Sequence, residues 1–87
     1  MDKSIHAYEY KLFLDLLRQA RVKAGITQGE VALRLGESQT FISKCERGER
    51  RIDVLELYLW CDALGISIST FVQTLDAAIR GAESAPR

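Results

Sequence analysis

The sequence predicts an all-α fold of five helices in a single domain. Its 87 residues are enough for one hydrophobic core, and a composition of 47% hydrophobic and 28% charged residues is that of an ordinary globular protein. No stretch shows the apolar–polar alternation of a strand. Several apolar segments of helical periodicity are followed by a glycine, the residue that most readily adopts the left-handed conformation that closes a helix. These glycines are Gly25, Gly48, Gly65 and Gly81.

The first three helices are predicted over residues 7–24, 28–35 and 39–47. An apolar stripe at helical spacing marks helix 1 and consists of Tyr10, Phe13, Leu17 and Ala20. Helix 2 follows Thr27, which stands three residues before Glu30 in the pattern of a capping box. A tight turn at Gly36 and a capping Ser38 then start helix 3.

Helices 4 and 5 are predicted over residues 54–64 and 68–80. Asp53 and Glu56 form a second capping box at the start of helix 4. Helix 5 follows Ser67, and Gly81 is expected to end it. We therefore expect an N-terminal tail over 1–6, a folded domain over 7–80 and a flexible C-terminal tail over 81–87.

Composition also argues against several functions. The N-terminus lacks the apolar segment of a secretory signal and no apolar run is long enough for a membrane span, so a cytoplasmic location is expected, with Cys45 and Cys61 as free thiols. His6 is the only histidine, and the two cysteines fall singly on apolar helix faces. These residues form no catalytic set and no metal site. We therefore expect no enzyme activity, metal, cofactor or small-molecule ligand.

Charge is unevenly distributed although the net charge is zero. Residues 18–51 carry a net charge of +4, while 1–17 carry −1 and 52–87 carry −3. A basic segment between acidic ends is expected if one face contacts phosphates, although a solvated helix surface would also explain it.

Residues 27–48 read TQGEVALRLGESQTFISKCERG, a short helix, a tight turn and a second short helix. With the pair Val31-Ala32, the turn at Gly36 and the ending Glu46-Arg47-Gly48, this segment strongly resembles the Cro and phage-repressor (Xre) family. The resemblance extends over about residues 17–72, and the phrase over 48–53 is similar to that of short stand-alone members. It implies a lambda-repressor-like fold with a helix-turn-helix at helices 2 and 3. It also implies a nucleoid-associated transcriptional regulator, a repressor that binds double-stranded DNA sequence-specifically as a homodimer on a palindromic operator.

Helix 3 carries the candidates for reading bases. If Ile42 and Cys45 point inward, the opposite face presents polar and basic residues to a major groove. Glutamine can bond adenine and lysine can reach guanine, so this face has the right chemistry. The base-reading candidates are Gln39, Thr40, Ser43 and Lys44. Phe41 lies at the edge of the buried stripe, where it either packs between helices 2 and 3 or touches a thymine methyl; we favour packing.

The candidates for phosphate contacts lie around helix 3. The resemblance implies that Gln28, which opens helix 2, bonds a phosphate at a helix end that favours anions. Arg50 and Arg51 just past helix 3 are further candidates, followed by Arg34 and Arg47. The alternative for each arginine is a solvated charged side chain.

The resemblance also implies a partly buried ion pair between Arg21 and Glu46 that joins helix 1 to the end of helix 3. Two residues depart from the family pattern. Gly29 lies inside helix 2, where glycine is about 1 kcal/mol less favourable than alanine unless DNA or another helix needs the space. Glu37 occupies a turn position that is usually apolar.

Apolar residues outside the helical stripes suggest a subunit interface, since such interfaces are enriched in aromatic residues. They are Tyr8, Leu12, Leu16, Leu55, Tyr58, Leu59 and Trp60. We expect a homodimer through helix 5 and neighbouring surfaces; the alternative is that helix 1 folds back and buries this set. Within DNA binding, a phage-type repressor, a restriction-modification controller and an antitoxin all fit. Outside it, a protein-interaction module could use the same fold.

Overall fold

A computed structural model describes the backbone of residues 7–84 and the side chains of residues 7–81. This part of the chain is all α-helical, as predicted, and contains five helices joined by short turns. They are α1 (Ala7–Lys23), α2 (Gln28–Leu35), α3 (Gln39–Glu46), α4 (Val54–Leu64) and α5 (Ile68–Ser84). The first four agree with the predicted bounds to within one residue.

Two reciprocal capping boxes start α2 and α4, as predicted. The backbone N–H of Glu30 donates to Thr27 Oγ1 at 3.1 Å, and the N–H of Thr27 donates to Glu30 Oε1 at 2.9 Å. Asp53 and Glu56 repeat the exchange at 2.8 and 2.9 Å. The bond from the Thr27 backbone is the main reason why the pKa of Glu30 is lowered. The start of each helix is thus determined by local sequence.

The turn between α2 and α3 sets the position of α3. Gly36 adopts a left-handed conformation with φ of 69°, which side chains disfavour. The N–H of Glu37 then donates to Ala32 O at 2.9 Å, and Ser38 Oγ accepts from the N–H of Phe41 at 3.0 Å. Only residues 36–38 therefore separate the end of α2 from the start of α3.

The packing of the helices leaves one side of α3 open. α2 packs against α3 and α4, α1 packs against α3 and α5, and α4 packs against α5. The side of α3 that faces away from α1 and α2 is therefore available to a partner. Among the described residues, no single helix is long and apolar enough to cross a membrane. Taken together, α4 and α5 have the length and composition of a membrane span, but they are bent by 111° relative to each other.

The predicted end of the fifth helix at Gly81 is wrong, because α5 continues through Gly81 to Ser84. Gly81 does not adopt a positive φ, unlike Gly25, Gly48 and Gly65 at the other predicted helix ends. A glycine inside a helix is only about 1 kcal/mol less favourable than alanine, so an otherwise helical segment tolerates it. The expected C-terminal tail is thus helical over 81–84. The tails expected over 1–6 and 85–87 lie outside the described residues.

The core corrects a second expectation. Its fully buried large side chains are Leu17, Val31, Ile42, Cys45, Trp60 and Cys61. Trp60, which we expected at a subunit interface, is 0% exposed. Because α4 packs against both α2 and α5, its buried side is wider than the single stripe expected from Leu57, Cys61 and Leu64.

Candidate nucleic-acid interface

The outward face of α3 carries the four predicted base-reading residues. Ile42 and Cys45 are fully buried and orient the helix. Opposite them, Gln39, Thr40 and Lys44 are exposed and Ser43 is half-buried. A helix that presents only polar and basic side chains on its free side has the chemistry needed to bond base edges.

A shallow cleft lies where the start of α2 meets this face. Its lining consists of Gln28, Gln39, Thr40, Ser43 and Arg47. Three predicted base-reading residues and two predicted phosphate contacts are thus brought together by the tertiary structure. Lys44 lies on the same helix outside the lining of the cleft.

Arg47 borders the cleft and is already paired in the free protein. Its guanidinium donates to Ser43 Oγ and forms an ion pair with Glu49 at 2.8 Å. The hydrogen bond from Arg47 lowers the pKa of Glu49, so this carboxylate stays charged at neutral pH. Because both side chains are about half exposed, at 53% and 54%, water weakens the pair and a phosphate could replace Glu49.

Arg50 and Arg51 follow α3 and lie over aromatic rings. Arg50 is 4.6 Å from the ring centroid of Phe41 and pairs with Glu56 at 2.8 Å, while Arg51 is 4.1 Å from the ring centroid of Tyr10. The hydrogen bond to Glu56 raises the pKa of Arg50. Both cations therefore flank α3 without lining the cleft.

Phe41 is half-buried and packs against the core. The Arg50 guanidinium lies over one face of its ring. This contact favours packing over a thymine contact for Phe41. The acidic partners of Arg47 and Arg50, which are Glu49 and Glu56, were not anticipated. The neighbouring opposite charges over 46–50 were a signal for the first of these pairs only.

Arg34 is the one predicted phosphate contact that the structure places elsewhere. Its Nη1 donates to the backbone oxygen of Ala63 at 2.6 Å, near the end of α4. Arg34 occupies the last turn of α2, and α2 packs on α4. The side chain thus joins two helices away from the cleft.

The ion pair implied by the resemblance is present and partly buried. Arg21 donates from Nε to Glu46 Oε2 at 2.6 Å and from Nη2 to Glu46 Oε1 at 3.0 Å, and the side chains are 13% and 4% exposed. Gln28 adds a contact that the sequence did not predict, since its Nε2 donates to Glu46 Oε1 at 2.9 Å. The same carboxylate therefore joins α1, α2 and α3.

Cys45 and Cys61 are both free and buried. Burial raises the pKa of both thiols, and for Cys45 a hydrogen bond with Arg50 partly opposes the effect. Both side chains therefore stay protonated at neutral pH and serve as small apolar core residues.

Gly29 can accept a side chain in the free protein. A Cβ at this position would lie 3.7 Å from Gln39 Oε1 and 3.8 Å from Thr27 Oγ1, which are ordinary contacts. We expect Gly29→Ala to stabilise the fold by up to about 1 kcal/mol and to raise the melting temperature by about 4 °C, because alanine favours the helix. Thermal denaturation measures this change.

Gly81→Ala is the matched control, because it also lies in a helix and a Cβ there meets nothing within 4 Å. Both variants should be stabilised to a similar extent. If Gly29→Ala also weakens DNA binding while Gly81→Ala does not, then the DNA backbone approaches α2 closely. A lower melting temperature for Gly29→Ala alone would contradict the free space seen at this position.

Comparison with known proteins identifies the family of the chain. The family model HTH_3, described as helix-turn-helix, matches residues 17–71. An uncharacterized HTH-type transcriptional regulator, y4dJ of Sinorhizobium fredii, is 43% identical over 56 residues, which is 64% of this chain and 73% of that protein. The solved structure of an XRE-family like protein from Pseudomonas syringae pv. tomato is similar with a TM-score of 0.82 and 46% identity. That match covers 87% of this chain and 93% of the other.

A second group of similar structures are those of the restriction-modification controller protein C.Esp1396I. In its nucleoprotein complex, this protein matches with a TM-score of 0.71 and 25% identity over 79% of this chain and 90% of the other. A mutant in which one tyrosine is replaced by phenylalanine matches with a TM-score of 0.76 and 26% identity over 84% and 92%. The region that the helix-turn-helix family model matches contains the whole of α2, α3 and the cleft between them.

Proposed function

The chain belongs to the Xre family of helix-turn-helix transcriptional regulators, and from this premise we propose that it is a repressor that binds a palindromic operator as a homodimer. It acts in the cytoplasm, on the nucleoid, by occupying DNA rather than by catalysis or by binding a small molecule. The observation that carries the proposal is the cleft at which the start of α2 meets the polar face of α3.

This geometry suits a helix that enters the major groove. Gln39 and Thr40 lie at the N-terminal end of α3, where a recognition helix reaches base edges, and Lys44 lies one turn further along. Gln28 at the start of α2 lies beside them and would contact the phosphate backbone. Phosphate contacts fix the position of the domain, and the α3 face then distinguishes bases.

The arginines add a second layer of phosphate contacts. Arg47 borders the cleft, and Arg50 and Arg51 lie just beyond α3. In the free protein Arg47 pairs with Glu49, which is 54% exposed, and Arg50 pairs with Glu56, which is 29% exposed. A DNA phosphate would replace these two carboxylates. Arg34 is not part of this proposal, because it bonds the end of α4.

The homodimer is supported by an exposed apolar surface on α4, which we call the α4 face. It consists of Val54, Leu55, Tyr58 and Leu59, which are 70%, 72%, 53% and 54% exposed. On α5 only Val72 is a comparably exposed large apolar residue among those described, at 45%. A second copy of this chain is the partner that makes two reading helices available to a palindrome, with half-sites about 34 Å apart. Within the expected interface of helix 5 and neighbouring surfaces, we therefore propose that the α4 face forms the larger part.

Replacement of Lys44 tests operator recognition. Duplexes bound by the protein are selected from a random pool, and the enriched sequence is titrated with wild type and Lys44→Ala at two salt concentrations. We expect a palindrome to be enriched. Lys44→Ala should lose about 1–3 kcal/mol of discrimination at one base pair in each half-site, because the lysine ammonium no longer bonds the base.

Lys11→Ala is the control, because it removes the same charge from an exposed position on α1. It should leave base discrimination unchanged. An enriched site with a single unsymmetrical half would contradict the homodimer, and equal discrimination by Lys44→Ala would contradict base reading by Lys44. If no sequence is enriched, the protein-interaction module becomes the better explanation of the fold.

A further inference from the structure

Gln28 has a restrained side chain at the start of α2. Its amide Nε2 donates to Glu46 Oε1 at 2.9 Å, and Glu46 is the last residue of α3. The Glu46 side chain is only 4% exposed, so water hardly competes for this bond. A hydrogen bond to a carboxylate is also stronger than one between neutral groups.

Arg21 holds the Glu46 carboxylate in turn. It donates to both carboxylate oxygens, at 2.6 and 3.0 Å, which fixes the plane of the group. A third donor, Arg21 Nη1, reaches the backbone oxygen of Ile26 at 3.0 Å, two residues before Gln28. The backbone that leads into α2 and the side chain of its first residue are therefore held by the same pair of charges.

This arrangement leaves Gln28 with a free donor in a defined place. A glutamine amide carries two N–H groups, and only one of them is needed for Glu46. Because Gln28 also lines the cleft, its second N–H is available there to a phosphate oxygen. Without Glu46, the long side chain would have to lose its rotamer freedom when DNA binds.

We propose that Glu46 is a positioning residue for DNA binding, which holds the amide of Gln28 so that its second N–H meets a backbone phosphate. This rests on the proposed function and adds to the role of Glu46 in the ion pair with Arg21. In this arrangement the Glu46 carboxylate connects Gln28, the phosphate contact of α2, to the end of the reading helix α3.

Because Glu46 is negatively charged, the direction in which its removal changes DNA affinity tests the proposal. Removal of a negative charge near DNA normally strengthens binding, because repulsion of the phosphates decreases. In Glu46→Gln the new amide has a single oxygen, and the Arg21 guanidinium would donate to it. An amide nitrogen would then face Gln28 Nε2, and two N–H donors cannot form a hydrogen bond with each other. We therefore expect Glu46→Gln to bind operator DNA more weakly. The control is Glu49→Gln, which removes an exposed charge and should bind as tightly as wild type or more tightly.

A double-mutant cycle tests whether Glu46 acts through Gln28. Dissociation constants for the selected operator duplex are measured for wild type, Gln28→Ala, Glu46→Gln and the double variant, at a temperature at which all four are folded. We expect each single variant to weaken binding by about three- to tenfold, which is the range for one net hydrogen bond. The double variant should bind no more weakly than Gln28→Ala. If the two effects multiply, Glu46 acts on binding independently of Gln28 and the proposal is overturned.

A measurement on wild-type protein covers the case in which Glu46→Gln does not fold. The side-chain amide protons of Gln28 are followed by NMR, with the exposed Gln73 as reference. We expect one Gln28 proton to exchange with solvent more slowly than those of Gln73, and the other to shift when the operator duplex is added. Equal exchange at Gln28 and Gln73 would overturn the proposal.

Operator binding and the role of Glu46 fail in different ways. If Lys44→Ala loses base discrimination while Gln28→Ala binds like wild type, the proposed function stands and the role of Glu46 is wrong. If no duplex is enriched from the random pool, both are overturned.

Discussion

Trp60→Ala is expected to destabilise the protein by about 3–5 kcal/mol, because it removes the largest fully buried side chain of the described core and the surrounding residues relax only partially into the space. In a domain of this size, such a loss lowers the melting temperature by at least about 12 °C. It is also a large share of the total stability of a small domain, which is about 5–15 kcal/mol. Chemical denaturation followed by circular dichroism measures the change.

Trp60→Phe is the informative control. The indole Nε1 of Trp60 is buried and has no hydrogen-bond partner among the described residues. Phenylalanine loses some volume but also removes this unsatisfied N–H, which itself is unfavourable by about 1–3 kcal/mol. We therefore expect Trp60→Phe to be much closer to wild type than Trp60→Ala. Near wild-type stability of Trp60→Ala would show that the side chain is not in the core.

Arg21→Ala is expected to have the second large effect, and it should act through folding. The variant leaves the Glu46 carboxylate buried with only the Gln28 amide as a partner. Loss of one member of a fully buried pair destabilises by about 3–5 kcal/mol, and we expect the lower end because Arg21 is 13% exposed. A thermal melt of the variant measures the effect directly.

Two further variants separate charge from geometry at this position. Arg21→Lys keeps the charge but cannot form both parallel bonds, so its stability should fall between those of wild type and Arg21→Ala. Arg18→Ala removes an exposed arginine from the same helix and should change stability by less than about 0.5 kcal/mol. An unchanged melting curve for Arg21→Ala would refute the structural role of the pair.

Local sequence signals predicted the helix starts most reliably. Thr27 with Glu30 and Asp53 with Glu56 predicted the starts of α2 and α4 at the correct residue, because a capping box is complete within four residues. The prediction that helix 5 ends at Gly81 was wrong because a glycine is only a local signal. A glycine after an apolar segment permits a helix to end, but whether it does so depends on the residues that follow.

The candidate site was predictable in its residue types and less so in its geometry. The outward direction of Gln39, Thr40 and Lys44 follows from the burial of Ile42 and Cys45, which helical periodicity indicated. The partners of the arginines depend on residues that meet only in the folded chain. Arg34 and Arg51 are examples, since they lie against Ala63 and Tyr10, which are 29 and 41 residues away in the sequence.

By itself, the sequence determined the helices, the helix-turn-helix and the polar face of α3, since these depend on capping, periodicity and turns within a few residues. Tertiary structure alone decided that Trp60 is core while Leu55, Tyr58 and Leu59 stay exposed on α4, and that Gln28 is held by Glu46. The physical reason is that burial and hydrogen-bond partners depend on which helices pack together. A single helix cannot indicate whether one or two of its sides will be covered.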